Sequence, residues 1–554
     1  MPNSLEQIIA CIKQNKSFIL EAGAGSGKTW TLIESLKYIL TESSTELEKQ
    51  NRQVVCITYT NVAKNQIEER INYSSLVLVL TIHDFLWRVI KNYQKELKLL
   101  ILDYNEKKAK NPISGLDKML EKAFIEYTAY GRDFTQGRIS HEEIIEFSSG
   151  LFKTYPKISK IVGDKFPYIF IDEFQDTDER TVSLLIEFLL KNNKSKLTLG
   201  FFGDAMQKIY GQGIGRIKSS ELSVITKKEN FRSSSKVVSL LNNIRSDLVQ
   251  QNVNSGTAGE ISYFNCNNCL SDSNNYDKVL EELRVKHGWD FDNTKILFLT
   301  HKVIADYLGY EALLAAYTDN FPSFGRERLF NQEDAFSDFL INKVERLFYF
   351  YNTKMYTEFT NLLGKEGFIL QNKSYKDQIR ILMETLETLR KNGTIKEVID
   401  YVIENKLLIK SERMKDFEQD INELELDEKT LRDKIFYEAL MPLKYQQIIT
   451  FNQFIEEKTP FSTKHGTKGA EFDNVLVVID DSAWNQYNFD AVFSQNKKNA
   501  SIYNRSLNLL YVCCSRAKNN LALLSLSQVS ALSFTTLSKW FGKENVYDVC
   551  LLEN

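Results

Sequence analysis

Residues 16–29 read K-S-F-I-L-E-A-G-A-G-S-G-K-T, and this stretch decides the fold. Its first half is a short run of strand-forming residues, and its second half places three glycines ahead of a lysine and a threonine. Glycines let the backbone curl so that several N–H groups point at phosphate oxygens, and a helix starting there adds the positive end of its dipole. The stretch therefore predicts a strand, a phosphate-binding loop and a helix, the first elements of an α/β nucleotide-binding domain.

The phosphate loop carries the residue types that nucleotide chemistry needs. Lys28 can reach the β- and γ-phosphates, and the Thr29 hydroxyl can ligate Mg²⁺. The pattern indicates an ATPase or a GTPase without deciding between them, and a glycine-rich turn without a ligand is the alternative. One departure is Ala22, which stands where the usual pattern has its first glycine. We expect the nucleotide to be held by a continuous run of residues: Ala22, Gly23, Ala24, Gly25, Ser26, Gly27, Lys28 and Thr29.

A second strand-forming run ends abruptly in acids. Residues 166–179 read F-P-Y-I-F-I-D-E-F-Q-D-T-D-E. In a parallel sheet, ligands bind at the carboxyl ends of the strands, so Asp172 is expected beside the phosphate loop. There Asp172 can hold Mg²⁺ through its water shell, and Glu173 can accept a proton from the attacking water. A solvated turn is the alternative interpretation.

Three further motifs suit the same chemistry. In G-D-A-M-Q-K-I-Y (203–210), Gln207 is placed to bind the γ-phosphate or the water, and Tyr210 offers a ring that can stack on a base. N-F-R-S and Y-V-C-C-S-R-A-K supply Arg232 and Arg516, whose planar guanidinium groups suit a developing phosphoryl charge. Either arginine alone is more typical of a surface salt bridge. If two cores face each other across ATP, hydrolysis changes how tightly they close, which predicts a motor.

A polar, glycine-containing segment precedes a late strand. Residues 463–472 read T-K-H-G-T-K-G-A-E-F, which suits contact with a sugar-phosphate backbone, and Glu471 is available to a ribose hydroxyl. A plain polar loop is the alternative.

The order of elements predicts two α/β cores. Strand-forming runs alternate with helical patterns in both halves of the chain, and a mainly helical segment interrupts each half. In the first of these segments, S-H-E-E at 140–143 resembles a capping box. We therefore predict the α/β fold class, with two parallel-sheet domains that each carry a helical insertion.

Composition excludes several classes of protein. The net charge is −3, so any nucleic acid must be held by a local basic groove. The seven cysteines do not suggest a disulfide scaffold, and Cys266 and Cys269 form a single C-x-x-C that is more typical of small apolar loop residues than of a zinc site. We find no signal peptide, membrane span or nuclease motif, and we expect a cytoplasmic protein.

Together these motifs resemble a superfamily 1 helicase of the UvrD/Rep/PcrA type. The resemblance covers both cores in family order. It rests on L-E-Q (5–7), A-G-A-G-S-G-K-T (22–29), T-Y-T-N-V-A (58–63), T-I-H-D-F (81–85), D-E-F-Q-D (172–176), G-D-A-M-Q-K-I-Y, N-F-R-S, H-G-T-K-G-A-E-F and Y-V-C-C-S-R-A-K.

The resemblance implies roles for individual residues and a partner. Gln7 would contact adenine, Lys28 and Thr29 would bind ATP and Mg²⁺, and Asp172 would hold Mg²⁺ while Glu173 serves as the base. The γ-phosphate would be sensed by Gln207, Arg232 and Arg516. Single-stranded DNA, passing in the 3′→5′ direction, would contact Thr60, Asn61, His83, Phe85, Tyr210, Thr463 and His465.

The resemblance also implies a domain plan. Two RecA-like domains would comprise residues 1–85 with 166–215, which bind ATP, and residues 216–303 with 447–554. Residues 86–165 and 304–446 would form the helical insertions.

The sequence departs from the family at two positions and in its length. Gln212 stands where a base-stacking tryptophan is usual, and Asn508 replaces a common basic residue. Compact members resemble helicase subunits of Gabija-type anti-phage systems, in which a separate OLD-family nuclease cuts DNA. Two hypotheses follow: a translocase that unwinds duplex DNA, or a DNA-activated ATPase that senses ends or single strands and regulates a nuclease with little unwinding of its own.

Overall fold

The computed structural model describes most of the chain. The described residues are 3–58, 61–109, 112–128, 132–208, 213–253, 258–270, 274–298, 301–322, 324–365, 375–423, 427–456, 461–462, 470–483 and 487–552. They form two compact units. The first unit comprises Met1–Tyr263, Gln486–Ala522 and Val529–Val546, and the second comprises Phe264–Asn485, Leu523–Gln528 and Tyr547–Asn554.

The strands and helices are numbered in chain order. The strands are β1 (Phe18–Ala22), β2 (Val54–Ile57), β3 (Val77–Leu80), β4 (Glu126–Tyr127), β5 (Arg138–Ile139), β6 (Tyr168–Asp172), β7 (Thr198–Gly203), β8 (Ser223–Lys227), β9 (Glu229–Asn230), β10 (Gln251–Asn252), β11 (Glu260–Asn265), β12 (Thr294–Phe298), β13 (Phe461–Ser462), β14 (Phe472–Ile479), β15 (Ala517–Ser525) and β16 (Val546–Asp548). The α-helices are α1 (Ser4–Lys13), α2 (Lys28–Lys49), α3 (Asn61–Arg70), α4 (Ile82–Ile90), α5 (Gln94–Lys107), α6 (Leu116–Lys122), α7 (His141–Thr154), α8 (Pro156–Lys165), α9 (Glu179–Ser183), α10 (Ser235–Ile244), α11 (Asn275–Val285), α12 (His301–Leu308), α13 (Glu311–Asn320), α14 (Gly325–Phe330), α15 (Ala335–Ser337), α16 (Arg346–Asn352), α17 (Tyr356–Lys365), α18 (Tyr375–Asn392), α19 (Ile395–Glu404), α20 (Glu412–Asp420), α21 (Glu428–Leu440), α22 (Gln446–Ile455), α23 (Phe489–Phe493), α24 (Ala500–Cys514) and α25 (Ala531–Phe541).

The first unit is built on a six-stranded sheet in the order β3-β2-β6-β7-β1-β8. The five strand pairings of this sheet are all parallel, so the carboxyl ends of these strands meet at one edge. Both faces are buried because alternate residues enter two separate apolar clusters, with Ile19 in one and Leu20 in the other. Gly200 lies where a Cβ would meet the rings of Phe170 and Phe18 at 2.7 Å, so only glycine fits between them.

The predicted strands are confirmed, with one addition. The strand β8 follows residue 216, and it pairs with β1 from Phe18 opposite Ser223 to Ala22 opposite Lys227. The boundary expected at residues 215 and 216 therefore falls before the last strand of the first sheet. The division into four domains stays a prediction.

Helices α4 to α8 lie between β3 and β6 in the chain and share an apolar cluster with the sheet. The capping box predicted at the start of α7 is confirmed, since Ser140 N–H donates to Glu143 at 3.0 Å. This helical segment corresponds to the first predicted insertion.

The second unit holds a second parallel arrangement. Strand β12 pairs in parallel with β13 and with β14, and Thr294 stands opposite Asn474. These strands belong to a six-stranded sheet in the order β13-β12-β14-β15-β11-β16. Helices α12 to α22 lie between β12 and β13 in the chain and include a π-helical segment at Asp338–Glu345. The α/β class with two RecA-like parallel sheets and helical insertions is thus confirmed.

The cysteine interpretation needs one correction. Cys266 is buried and is not part of a disulfide, as expected of a small apolar residue, but Cys269 forms a disulfide with Cys550. The two positions are 281 residues apart, so the spacing within the C-x-x-C gave no sign of the pairing. Within the described residues, no helix is both long enough and apolar enough to cross a membrane.

Candidate functional site

The phosphate loop follows β1 and turns directly into α2. Gly25 and Gly27 have positive φ angles of 71° and 74°, the left-handed region that glycine enters without strain. A Cβ on Gly25 would lie 2.7 Å from the Arg232 Cβ and 2.8 Å from the Asn230 Oδ1, so a side chain would also clash there. These glycines therefore set the loop conformation predicted from the sequence.

Three side chains that lie far away in the sequence hold the loop backbone at Ala24. The Ala24 N–H donates to Tyr511 Oη at 3.0 Å. The Ala24 carbonyl accepts from Asn230 Nδ2 at 3.1 Å and from Gln250 Nε2 at 2.8 Å. In contrast, the buried Ser26 Oγ has no hydrogen-bond partner in the described part of the chain. A buried hydroxyl without a partner fits a site that accepts a polar ligand such as phosphate.

Lys28 and Glu173 meet at the carboxyl edge of the sheet. Lys28 Nζ lies 3.1 Å from Glu173 Oε2, and the same oxygen accepts from Gln175 Nε2 at 2.6 Å. Glu173 has a φ angle of 51°, which is costly for a residue with a side chain. The neighbouring Asp172 is almost fully buried, and its Oδ1 accepts from the Glu173 N–H at 3.0 Å. Strain at an acid beside the phosphate loop is typical of a catalytic position.

Buried polar side chains connect this edge to Arg516. Gln175 Oε1 accepts from the Asp204 N–H at 3.2 Å, and Gln207 Nε2 donates to Asp204 Oδ2 at 3.0 Å. Arg516 Nη2 then donates to Gln207 Oε1 at 3.3 Å. The acid motif, the glutamine motif and the arginine motif therefore form one hydrogen-bonded chain inside the first unit.

Arg516 is a buried cation whose contacts are neutral oxygens. Its side chain is only 1% exposed, and it donates to the Val512 carbonyl, to Ser515 Oγ and to Gln207. No carboxylate among the described residues lies within ion-pair distance of it. Burial, reinforced by the nearby Arg232 guanidinium, lowers the pKa of Arg516 to about 10. It remains charged at neutral pH, so an anion at this site would be strongly stabilised.

Arg245 supports the loop and is paired differently. Its Nη1 donates to Tyr511 Oη at 2.7 Å and lies 3.3 Å from Asp204 Oδ2, and its Nε donates to Asp247 at 3.0 Å. Burial alone would lower the pKa of Arg245, but Asp204, Tyr511 and Asp247 outweigh burial and raise it. Since its charge is matched by carboxylates, Arg245 positions Tyr511.

Two exposed aromatic side chains flank the loop. Trp30 follows Thr29 in α2 and is 51% exposed, and Phe231 is 54% exposed. The Phe231 N–H donates to the Gly25 carbonyl at 2.9 Å, which fixes this residue against the loop. Large exposed rings beside a phosphate site can hold a planar base.

Comparison with known proteins finds relatives that are named as helicases and as a Gabija protein. The AAA domain family matches residues 6–212. The Gabija protein GajB of Bacillus cereus is 27% identical over 98% of this chain and 97% of its own length. A probable DNA helicase II homolog of Mycoplasma capricolum is 23% identical over 94% of this chain and 83% of its own length. The ATP-dependent DNA helicase PcrA of Staphylococcus aureus is 21% identical over 83% of this chain and 75% of its own length.

The chain is similar over most of its length to UvrD-like superfamily 1 helicases. It is therefore an enzyme that hydrolyses ATP. The residues that the resemblance assigned to phosphate chemistry lie around one loop in the first unit: Lys28, Thr29, Asp172, Glu173, Gln207, Arg232 and Arg516.

Two further predicted nucleotide contacts lie on other elements. Gln7 is half-buried in α1, which packs against α2 and β8. Glu471 is exposed directly before β14 in the second unit. Their roles stay predictions.

The structure describes only some of the residues that were predicted to contact DNA. Thr60, Tyr210, Gln212, Thr463 and His465 lie outside the described residues, as does the side chain of Asn61 in α3. Phe85 is fully buried, with its ring 6.0 Å from that of Phe166, because α4 turns its apolar face to the sheet. Core packing therefore accounts for Phe85 without DNA.

His83 lines a cavity of about 670 Å³ in the first unit. Its ring lies 4.2 Å from that of His141, and Tyr127 Oη is 2.6 Å from His141 Nδ1. Burial, together with His141, lowers the pKa of His83 to about 4, so the ring is neutral at pH 7. Asp172 also lines this cavity, which therefore reaches the carboxyl edge of the sheet beside the phosphate loop.

Sequence reasoning missed several supports of the site. Asn230, Phe231 and Tyr511 stood inside quoted motifs without a role, and Trp30 carried a weak signal as a large aromatic directly after the loop. Gln250 and Arg245 belong to no motif. Only the folded chain shows that they contact the loop or its supporting tyrosine.

Proposed function

We propose that the chain is a 3′→5′ translocase on single-stranded DNA that unwinds duplex DNA and couples ATP hydrolysis to stepping of two RecA-like domains. One observation carries the proposal. Arg232 and Arg516, from motifs far apart in the chain, lie with Lys28 and Glu173 around one phosphate loop. This arrangement supports hydrolysis that depends on elements from both halves of the sequence.

The proposed reaction uses this chain's own residues in separate roles. Lys28 binds the β- and γ-phosphates, and Glu173 accepts a proton from the attacking water while Gln175 holds its carboxylate. Gln207 orients the water or the γ-phosphate. Arg232 and Arg516 stabilise the negative charge that spreads over the transferred phosphoryl oxygens.

Thr29 and Asp172 fit a Mg²⁺ site, because a hydroxyl at the start of α2 and a buried carboxylate at the end of β6 are both oxygen donors. Mg²⁺ bound there would neutralise charge on the β- and γ-phosphates. Gln7 and Glu471 are proposed contacts to the base and the ribose.

The DNA path is proposed along the motif residues of the first unit. His83, Asn61 and Thr60 are its expected contacts, with Tyr210, and Thr463 and His465 contribute from the later motif. A cytoplasmic location is part of this proposal.

The site assignment is tested by Lys28→Ala and Glu173→Gln. Each variant is expected to reduce ATP turnover at least ~100-fold while binding of single-stranded DNA persists, because neither side chain is assigned to DNA. Lys49→Ala and Glu179→Gln are matched controls, since both residues are exposed on nearby helices. Wild-type turnover in either test variant would contradict the assignment.

The direction of translocation is tested by strand displacement. A duplex with a 3′ single-stranded tail is expected to be unwound faster than the same duplex with a 5′ tail. Preference for the 5′-tailed duplex would contradict the proposed polarity.

A second candidate is a DNA-activated ATPase that regulates a partner nuclease in anti-phage defence. The match to the Gabija protein GajB over nearly the full length of both chains favours it. It predicts strong ATP hydrolysis with DNA, little strand displacement by the isolated chain, and co-purification of an OLD-family nuclease. Robust unwinding by the isolated chain would favour the translocase instead.

A further inference from the structure

Three side chains that can ligate a metal meet near the end of the chain, in the second unit. Cys269 lies in the connection between β11 and α11, Asp548 ends β16, and Cys550 follows two residues later. One sulfur or carboxylate oxygen from each of the three lies within 4.8 Å of the other two. All three residues are partly exposed, so an ion can reach them from solution.

The local fold fixes these side chains in place. The Cys269 carbonyl accepts from Asn275 Nδ2 at 2.7 Å. Asp548 Oδ1 accepts from the Cys550 N–H at 3.1 Å, and Asp548 Oδ2 accepts from Asn268 Nδ2 at 2.6 Å. Partners of this kind orient the carboxylates that ligate metals. Each carboxylate oxygen still has a lone pair for a ligand.

The disulfide of Cys269 with Cys550 is one of two states that these cysteines can take. Their Cα atoms are 5.7 Å apart, so the two sulfurs stay neighbours when the disulfide is reduced. A reducing cytoplasm favours free thiols, and neighbouring cysteines in a cytosolic enzyme are more typical of metal binding than of a structural disulfide. Reduction by a small thiol adds two electrons and two protons and leaves two thiols.

The ligands favour Zn²⁺. Thiolates and carboxylates bind this ion tetrahedrally, with bonds of about 2.0–2.3 Å, which places the ligand atoms about 3.5–3.8 Å apart. The three groups already lie within 4.8 Å of one another, so small side-chain rotations reach this spacing. Mg²⁺ prefers oxygen ligands alone, so this site differs in chemistry from the one proposed beside the phosphate loop.

We propose that the reduced chain binds one Zn²⁺ through Cys269, Asp548 and Cys550, with a water in the fourth position. The two thiols release their protons to solvent as they become thiolates, so the ion replaces two protons. Residues Val549–Leu551 pack against α11, and the ion holds this segment there when the disulfide is absent. The inference takes only the cytoplasmic location from the proposed function.

The test measures zinc on the full chain without nucleotide. One sample is reduced with a phosphine and the other is left oxidised; both are loaded with zinc and dialysed against zinc-free buffer. We expect one zinc per chain in the reduced sample and none in the oxidised sample, because disulfide sulfurs are not thiolates. Cobalt bound to the reduced chain should show thiolate-to-metal charge-transfer absorption.

Variants assign the ligands. Cys269→Ser and Cys550→Ser are expected to lose the zinc, and Asp548→Asn is expected to weaken zinc binding at least ~10-fold while both thiols remain. Cys266→Ala is the matched control for the cysteines, because it removes the other member of the C-x-x-C pair and should keep the zinc. Asp306→Asn, at an exposed position of α12, is the control for the carboxylate.

Three results would overturn the proposal: equal zinc in the reduced and oxidised samples, zinc retained by Cys550→Ser, or an unchanged affinity in Asp548→Asn. The reduced and oxidised samples are the same chain, so a folding defect in a variant cannot produce the first result. Failure of the proposed function would show separately, as ATP turnover that survives Lys28→Ala.

Discussion

Two buried arginines of this protein have opposite surroundings. In the second unit, Arg390 donates from Nε to Glu345 Oε1 at 2.8 Å and from Nη2 to Glu345 Oε2 at 2.5 Å. Tyr445 Oη donates to the same carboxylate at 2.9 Å, and the guanidinium lies 3.6 Å from the centroid of Phe348. In the first unit, Arg516 is also buried, but its hydrogen bonds go to neutral oxygens.

This difference is the one we expect between a structural cation and a cation that binds a ligand. Arg390 has its charge matched by a bidentate carboxylate, so its surroundings are complete without a ligand. Arg516 lies near a second guanidinium, Arg232, and nothing of opposite charge is in ion-pair contact with it among the described residues. Its charge is buried without an ion-paired carboxylate, so a polyanion such as a nucleoside triphosphate would offset it.

The largest effect on ATP turnover is expected at Arg232, and it tests whether this arginine is functional or structural. Arg232→Ala removes one of the two guanidinium groups of the site, and we expect ATP turnover to fall at least ~100-fold. Thermal stability should change little, because the variant also relieves the repulsion of Arg516. Steady-state turnover and a melting curve measured on the same sample check both statements. A large loss of stability with normal turnover would show that Arg232, like Arg390, has a structural role.

A smaller effect is expected at the structural pair. Glu345→Gln leaves the buried Arg390 without its counter-charge, which typically destabilises a protein by about 3–5 kcal/mol. Faster hydrogen exchange in Arg346–Asn352 and Tyr375–Asn392 would report it. ATP turnover by the folded fraction should stay at the wild-type value. Asp400→Asn, which breaks an exposed pair with Lys396, is the matched control and should leave exchange unchanged.

Replacing both Glu345 and Arg390 tests whether the unmatched charge, rather than the loss of the ion pair, destabilises the region. The double variant Glu345→Leu with Arg390→Met removes both charges, and such replacements are often neutral within about 1–2 kcal/mol. We expect exchange in the same helices to return close to the wild-type rate. If the double variant is as unstable as Glu345→Gln, the ion pair itself, rather than the unmatched charge, holds this region together.

The smallest effect concerns pH and His83. Its pKa in the folded chain, about 4, is below the ordinary value of 6.5, so the unfolded chain binds a proton first as pH falls. The stabilising contribution is complete above pH 6.5 and is lost between pH 6.5 and 4. His83→Gln should therefore flatten the decline in melting temperature over this range. An unchanged slope would show that His83 is not desolvated.

The sequence predicted the conformation of the glycine loop and the position of the acids at the sheet edge because these features are local. The loop glycines, Lys28 and the acids after β6 lie in short motifs whose spacing follows from strand, turn and helix geometry. The same holds for the capping box of Ser140 and Glu143.

What the sequence could not show depends on long-range packing. Several contacts join residues that are hundreds of positions apart in the sequence. Arg516 is buried against Gln207, Tyr511 and Gln250 hold Ala24 by hydrogen bonds, and Cys269 forms a disulfide with Cys550. Strand β8 was missed because its pattern alternates weakly, and its place is set by pairing with β1. Phe85 was assigned to the DNA path by its motif, whereas the fold gives it a core position.

The measurement that tests the central claim most directly is ATP turnover by Arg516→Gln, with single-stranded DNA present, alongside its melting temperature. Because Arg516 has no ion-paired carboxylate to leave behind among the described residues, we expect turnover to fall at least ~100-fold while the melting temperature is unchanged or higher. Turnover within threefold of wild type, with a marked drop in melting temperature, would contradict the claim that this buried charge serves the nucleotide.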